Sequence, residues 1–202
     1  MMKVYSGMAM LAVAAVIGGS YAYTVIRTET ACNAGAVAGG GAAIGGPFEL
    51  LNAAGETVTD KDVIDGPTLI YFGYTFCPDV CPLDAARNAL AVDVLAEQGY
   101  DVTPVFISID PERDTPEIVG DFAYNLHPDM IGLTGSPEQV KAASLAYKTY
   151  YARGTGDDDY YLVDHSTFSY LMFPDTGLAD YYDRNATPEE IAERASCLID
   201  AA

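Results

Sequence analysis

Apolar residues follow two regimes along this 202-residue chain. From Val4 to Ile26 no charged residue occurs, and Ala, Val, Ile, Leu, Met and Gly dominate. Such a run is long enough to cross a bilayer. Lys3 precedes it, which places the N-terminus in the cytoplasm and the rest of the chain outside. A cleaved signal peptide is the alternative. The run is long for one, and Tyr21, Tyr23 and Arg27 look more like an interfacial end than a small-residue cleavage site. A lipidated Cys32 is disfavoured, because Glu29-Thr30-Ala31 lacks the apolar residue that such a site offers. Residues 1–27 are therefore expected to form a cytoplasmic tip and a transmembrane anchor. Residues 28–46, rich in Gly and Ala, read as a flexible tether. The folded domain is expected over 47–202.

Within that domain apolar residues come in short runs separated by turn residues. Phe48–Leu51 and Glu56–Val58 flank Ala53-Ala54-Gly55 and predict a small hairpin. Thr68–Tyr74 and Val102–Ile109 read as buried strands, and Ile131–Leu133 as a short one. Pro82–Gln98 carries Ala85, Ala89, Leu90, Val92, Val94 and Leu95 at helical spacing and stops at Gly99. Thr115-Pro116 opens a second helix, with Thr as cap and Pro in the first position. Ser136-Pro137-Glu138-Gln139 is a capping box that starts a helix to about Tyr150, and Thr187-Pro188-Glu189-Glu190 starts the last helix. Tyr160–Val163, Phe168–Phe173 and Leu178–Tyr182 predict strands, the last two joined at Pro174-Asp175-Thr176-Gly177. Strands alternating with helices, then a hairpin and a final helix, predict a three-layer α/β sandwich.

Composition narrows the function. Half of the residues are hydrophobic, enough for a packed core. The formal net charge is -19 with only 10 basic residues, which argues against nucleic-acid binding and against docking of the folded domain on anionic lipid.

Chemistry concentrates in two places. Cys77 and Cys81 lie in Tyr74-Thr75-Phe76-Cys77-Pro78-Asp79-Val80-Cys81-Pro82, after a buried strand and at the opening of a helix. Residues four apart share a helix face, so both sulfurs can reach one point. A helix N-terminus favours the thiolate, the form that binds metal or attacks a disulfide. Two buried structural cysteines, or a static disulfide, would be the plainer reading. The chain has two histidines. His127, before Pro128 at a predicted helix end, reads as a capping or exposed residue. His165, in Leu162-Val163-Asp164-His165-Ser166 before a predicted strand, is the candidate third ligand, with a hydrogen-bonded structural histidine as the alternative. Asp79 and Asp164 could orient such a site or serve as cap and turn residues. Two thiolates and one imidazole suit copper(I), and zinc would accept the same set.

These pieces resemble the Sco/SenC family of copper chaperones, which serve cytochrome c oxidase assembly. The matching segments are Tyr71 to Pro82, then Pro104-Val105-Phe106-Ile107-Ser108-Ile109-Asp110-Pro111-Glu112-Arg113-Asp114-Thr115, then Gly132-Leu133-Thr134-Gly135, then Tyr161-Leu162-Val163-Asp164-His165-Ser166. Together they spread over roughly residues 47–200. The resemblance implies a thioredoxin-like fold and an N-terminal membrane anchor. It also implies that Cys77, Cys81 and His165 bind Cu(I) and Cu(II). It further implies delivery of copper to the dinuclear centre of oxidase subunit II, or reduction of that subunit's cysteines. The soluble domain would then stand on the periplasmic, or equivalent extracytoplasmic, side of an inner membrane.

A thiol–disulfide oxidoreductase or thiol peroxidase on the same fold is the rival, with Cys77 and Cys81 as catalytic thiols. Against it, three residues rather than two separate the cysteines. Tyr160 to Phe173 also contains no proline where thioredoxin-like oxidoreductases place one, and His165 stands close to that position. Cys32 in the tether and Cys197 in the last helix remain as a pair. An oxidising compartment would favour a bridge between them, with two unrelated free thiols as the alternative.

Overall fold

The computed structural model describes residues 44–157 and 160–202. The expected anchor, most of the tether and Cys32 lie outside those residues. Among the described residues no helix is long and apolar enough to cross a membrane.

Two residues ahead of Pro47 already contact the domain. Ile44 packs against the core, and the Gly45 amide donates to the Ala146 carbonyl at 2.9 Å. The hairpin is present as β1 (Glu49–Leu51) paired antiparallel with β2 (Thr57–Thr59), and a four-residue helix α1 (Asp60–Val63) follows it. The main sheet contains β3 (Thr68–Gly73), β4 (Thr103–Ser108), β5 (Ile131–Leu133), β8 (Ser169–Phe173) and β9 (Gly177–Tyr182), in the order β5-β4-β3-β8-β9. Strands β3, β4 and β5 run parallel, while β8 pairs antiparallel with both β3 and β9. Every residue of the central β3 is buried, as expected of a strand covered on both faces. A second hairpin joins β6 (Tyr151–Gly156) to β7 (Tyr161–His165).

Helices α2 (Val80–Glu97), α3 (Pro116–Leu126), α4 (Pro137–Ala146) and α5 (Pro188–Asp200) complete the chain. Alternation along β3 assigns them to two sides. Tyr71 bonds Asp84 of α2 and packs on Phe106 of β4, which in turn packs on Phe122 of α3. Leu69, on the same side as Tyr71, joins a core of Val92 and Leu95 from α2 with Ile191, Ala192 and Ala195 from α5. Phe72 points the other way, onto Tyr147 at the end of α4, and Tyr147 meets Phe48 beside the first hairpin. The result is a three-layer mixed α/β sandwich of the thioredoxin-like kind.

Three helix starts follow the sequence closely. Thr115, Ser136 and Thr187 each accept the amide hydrogen bond expected of an N-cap, with proline in the first turn behind each. Two boundaries differ. Helix α2 begins at Val80, so Pro82 occupies its first turn, where its missing amide costs no hydrogen bond. Helix α4 ends at Ala146 rather than near Tyr150. Lys148 takes a left-handed φ of 52°, and the Thr149 amide turns back to the Ser144 carbonyl. Strand β6 and helix α1 were not expected. The sequence of β6, Tyr-Ala-Arg-Gly-Thr-Gly, carries no clear apolar alternation, and its pairing with β7 defines it as a strand.

Candidate metal centre

The centre lies at the C-terminal end of β3, the end of an open α/β sheet where ligands characteristically bind. The chain leaves β3 through Tyr74 and turns at Thr75–Asp79 before α2 starts. Asp114 fixes that turn. Its buried carboxylate accepts from the Thr75 amide at 3.0 Å and from the hydroxyls of Thr75 and Ser108. Burial pushes the Asp114 carboxyl up, against the pull of those donors.

Cys77 sits in the turn and Cys81 in the first turn of α2. The two sulfurs therefore converge by a different route from two positions on one helix face. The Cys81 amide donates to the Cys77 sulfur at 3.4 Å, so Cys77 acts as acceptor at the helix N-terminus. The Asp79 side chain makes no capping bond, although Asp79 holds the N-cap position. Burial acts to raise the Cys77 thiol, but hydrogen bonds from the backbone at Asp79 and Cys81 outweigh it, and the net shift is downward. Cys81 is fully buried, and burial pushes its thiol well up.

His165 is the last residue of β7. Its Nε2 lies 3.2 Å from the Cys81 sulfur. Its Nδ1 lies 2.7 Å from the Ser166 carbonyl oxygen, which can only accept, so Nδ1 carries the proton and Nε2 presents its lone pair to the sulfur. Burial lowers the imidazole pKa, which favours that neutral form. The group that orients the ring is thus a backbone carbonyl rather than Asp164, whose side chain is exposed. The rings of Tyr71 and Tyr74 stand nearly perpendicular to the imidazole, with ring centres 6.4 Å and 5.8 Å away.

The β6–β7 hairpin is held in place by more than its own pairing. Tyr161 is sandwiched between the guanidinium groups of Arg113 and Arg153, at 3.6 Å and 3.9 Å from its ring centre. Its hydroxyl donates to Asp110 at 2.6 Å, and Arg113 donates to its carbonyl at 3.0 Å. The Val163 amide donates to the Tyr74 hydroxyl at 3.2 Å. These contacts tie the strand that ends in His165 to the turn that carries the cysteines.

One ligand atom each from Cys77, Cys81 and His165 lies within 4.8 Å of the others, the only such group of three among the described residues. Both thiols are free. Two buried soft sulfurs and one half-buried imidazole fit a soft monovalent or borderline ion of low coordination number. His127 is far less suggestive. It caps α3, accepts from the Asp129 amide at 3.1 Å, and faces Asp93 at 3.3 Å.

Gly73 is part of the packing around the sulfur. A Cβ there would lie 2.9 Å from Tyr71, 3.0 Å from Phe106 and 3.1 Å from the Cys81 sulfur. Gly73→Ala should therefore cost about 1–3 kcal/mol through overpacking and weaken metal binding together with stability. Thermal unfolding and metal titration of the same variant check this. Unchanged values in both would show that the pocket has slack.

Sequence reading singled out the three converging residues but not Tyr71, Asp84, Asp114 or Arg113. Asp84 is buried beneath the site, where it accepts from the Tyr71 hydroxyl at 3.2 Å. Its place on the sheet-facing side of α2, among apolar positions, was the available signal.

The SCO1/SenC family model matches residues 37–200. Protein SenC of Rhodobacter capsulatus is 54% identical over 194 residues, covering 94% of this chain and 87% of that protein. The human mitochondrial SCO1 homolog is 44% identical over 152 residues, covering 74% of this chain and 50% of that longer protein. The crystal structure of Arabidopsis thaliana ScoI with copper bound superposes with a TM-score of 0.76 at 42% identity, covering 79% of this chain and 100% of that one. A family match over most of the length, together with a shared fold and a Cys-Cys-His cluster at the sheet end, establishes that this chain belongs to the SCO1/SenC family.

Proposed function

We propose that this chain is a copper metallochaperone. Cys77, Cys81 and His165 bind Cu(I) and Cu(II), and the copper passes to the dinuclear centre of cytochrome c oxidase subunit II. Residues 1–27 anchor the protein in the inner membrane, and residues 28–46 tether the domain of residues 47–202 on the periplasmic, or equivalent extracytoplasmic, side. The observation that carries this reading is the convergence of two free thiols and a correctly oriented imidazole within 4.8 Å. Copper bound to a relative that is 42% identical supports copper over zinc.

The reading is tested by copper stoichiometry. The reduced protein should hold about one copper per chain, since soft thiolates supply two of its ligands. Protein oxidised to a Cys77–Cys81 disulfide should hold none tightly. Equal uptake in both states would contradict the thiolate ligands.

Reduction of the partner's cysteines is a second reading, and one observation favours it. Cys77 has a thiol shifted downward and accepting from a helix N-terminus, as an attacking thiolate requires. The two roles are compatible, because reduced partner cysteines are the ones able to receive copper.

Cys197 lies on α5, and Cys32 lies outside the described residues. We assign them to one disulfide that pins the tether to the last helix, contributing about 2–4 kcal/mol. Mass mapping without reductant should recover the Cys32–Cys197 peptide pair. Recovery of both residues as alkylated thiols would remove the assignment.

A further inference from the structure

A buried charged residue lies directly behind the two ligands on α2 and β7. Asp84 is 3% exposed, and its carboxylate accepts from the hydroxyl of Tyr71, which is 1% exposed. Tyr71 in turn packs T-shaped against His165, with ring centres 6.4 Å apart. The nearest counter-charge is Arg87, at 3.6 Å from the carboxylate. That guanidinium is engaged elsewhere, donating to the Asp183 carbonyl at 3.1 Å and to the Ser169 hydroxyl at 2.9 Å. The pair is thus long and incompletely neutralised. An apolar pair of similar size would fill the same space at no electrostatic cost, so stability alone does not account for a carboxylate here. The carboxylates whose charge reaches His165 are the buried Asp84 and the exposed Asp164.

We propose that Asp84 is a selectivity-determining residue of the metal centre, whose buried negative charge favours Cu(II) over Cu(I). This rests on the copper reading above. Two thiolates and a neutral imidazole around Cu(I) carry a net charge of about -1, and around Cu(II) about zero, from simple ligand counting. A nearby fixed anion repels the first assembly and not the second, so it raises the relative affinity for Cu(II). Tyr71 keeps the carboxylate facing the ligands without coordinating the metal itself. Outer partners of this kind typically change metal affinity by about 10–100-fold.

The test compares wild type with Asp84→Asn in the full chain, titrating Cu(I) against bicinchoninate under anaerobic conditions and Cu(II) against glycine. Cu(I) affinity should rise about tenfold or more, with Cu(II) affinity kept within about threefold. A tenfold gain confined to Cu(I) is a rise of about 59 mV in the Cu(II)/Cu(I) potential, because the couple transfers one electron. Asp84→Glu, which keeps the charge, should restore most of the ratio. If the Asn variant folds poorly, the double variant Asp84→Leu with Arg87→Met removes the buried pair together and should show the same loss of Cu(II) preference. Equal weakening of both oxidation states, or an unchanged ratio in the neutral variants, would overturn the role of Asp84. Wild-type protein that binds neither ion would instead overturn the copper reading on which it rests.

Discussion

Replacing either Cys77 or Cys81 with Ser is expected to abolish tight Cu(I) binding. A serine hydroxyl is hard and stays protonated near neutral pH, whereas the soft ion is held by thiolate sulfur. The loss should be nearly as complete for one substitution as for both, because the remaining sulfur and imidazole leave an incomplete site. The two single variants should nevertheless differ in the apo protein. Cys77 is shifted downward and Cys81 strongly upward by burial. Cys81→Ser should therefore retain a thiol that alkylates readily, and Cys77→Ser one that alkylates slowly. Because Cys81 is held as the thiol, copper uptake must displace its proton. Cu(I) affinity should accordingly rise as pH rises through neutrality, with measurable proton release. Retained tight binding in either serine variant would mean that the sulfurs are not both ligands.

His165→Ala is the second large effect, and it separates the two chemical readings. The variant removes the imidazole 3.2 Å from the Cys81 sulfur but leaves both thiols and the turn that places them. Copper affinity should fall by more than the roughly 10–100-fold typical of losing an outer partner, while the Cys77–Cys81 disulfide still forms. If copper transfer is the working step, oxidase maturation should fail nearly as badly as in the cysteine variants. If thiol exchange alone suffices, maturation should stay close to normal while either cysteine change is severe.

Much of the fold was legible because its signals were local. Proline in the first turn after Thr or Ser marked three helix starts, and two long apolar runs marked β3 and β4. The end of α4 and the strand β6 were not, since the first depends on a left-handed turn at Lys148 and the second on pairing with β7. The site followed the same division. Residue type and spacing pointed to Cys77, Cys81 and His165. Their supports are long-range: Asp114 reaches back to Thr75, and Arg113 stacks on Tyr161. The sequence offered Asp79 and Asp164 either as orienting groups or as cap and turn residues, and the ring of His165 is oriented by the Ser166 carbonyl, which no side-chain pattern announces. The sequence also placed both cysteines on one helix face, whereas the turn before α2 carries Cys77.

The central claim is a single copper ion held by two sulfurs and one imidazole. X-ray absorption at the copper edge of the Cu(I)-loaded protein counts those ligands directly. Wild type should show two sulfur neighbours and one histidine nitrogen, and His165→Ala should lose the nitrogen while keeping both sulfurs. A spectrum of wild type with sulfur ligands alone, unchanged by His165→Ala, would contradict the three-ligand site.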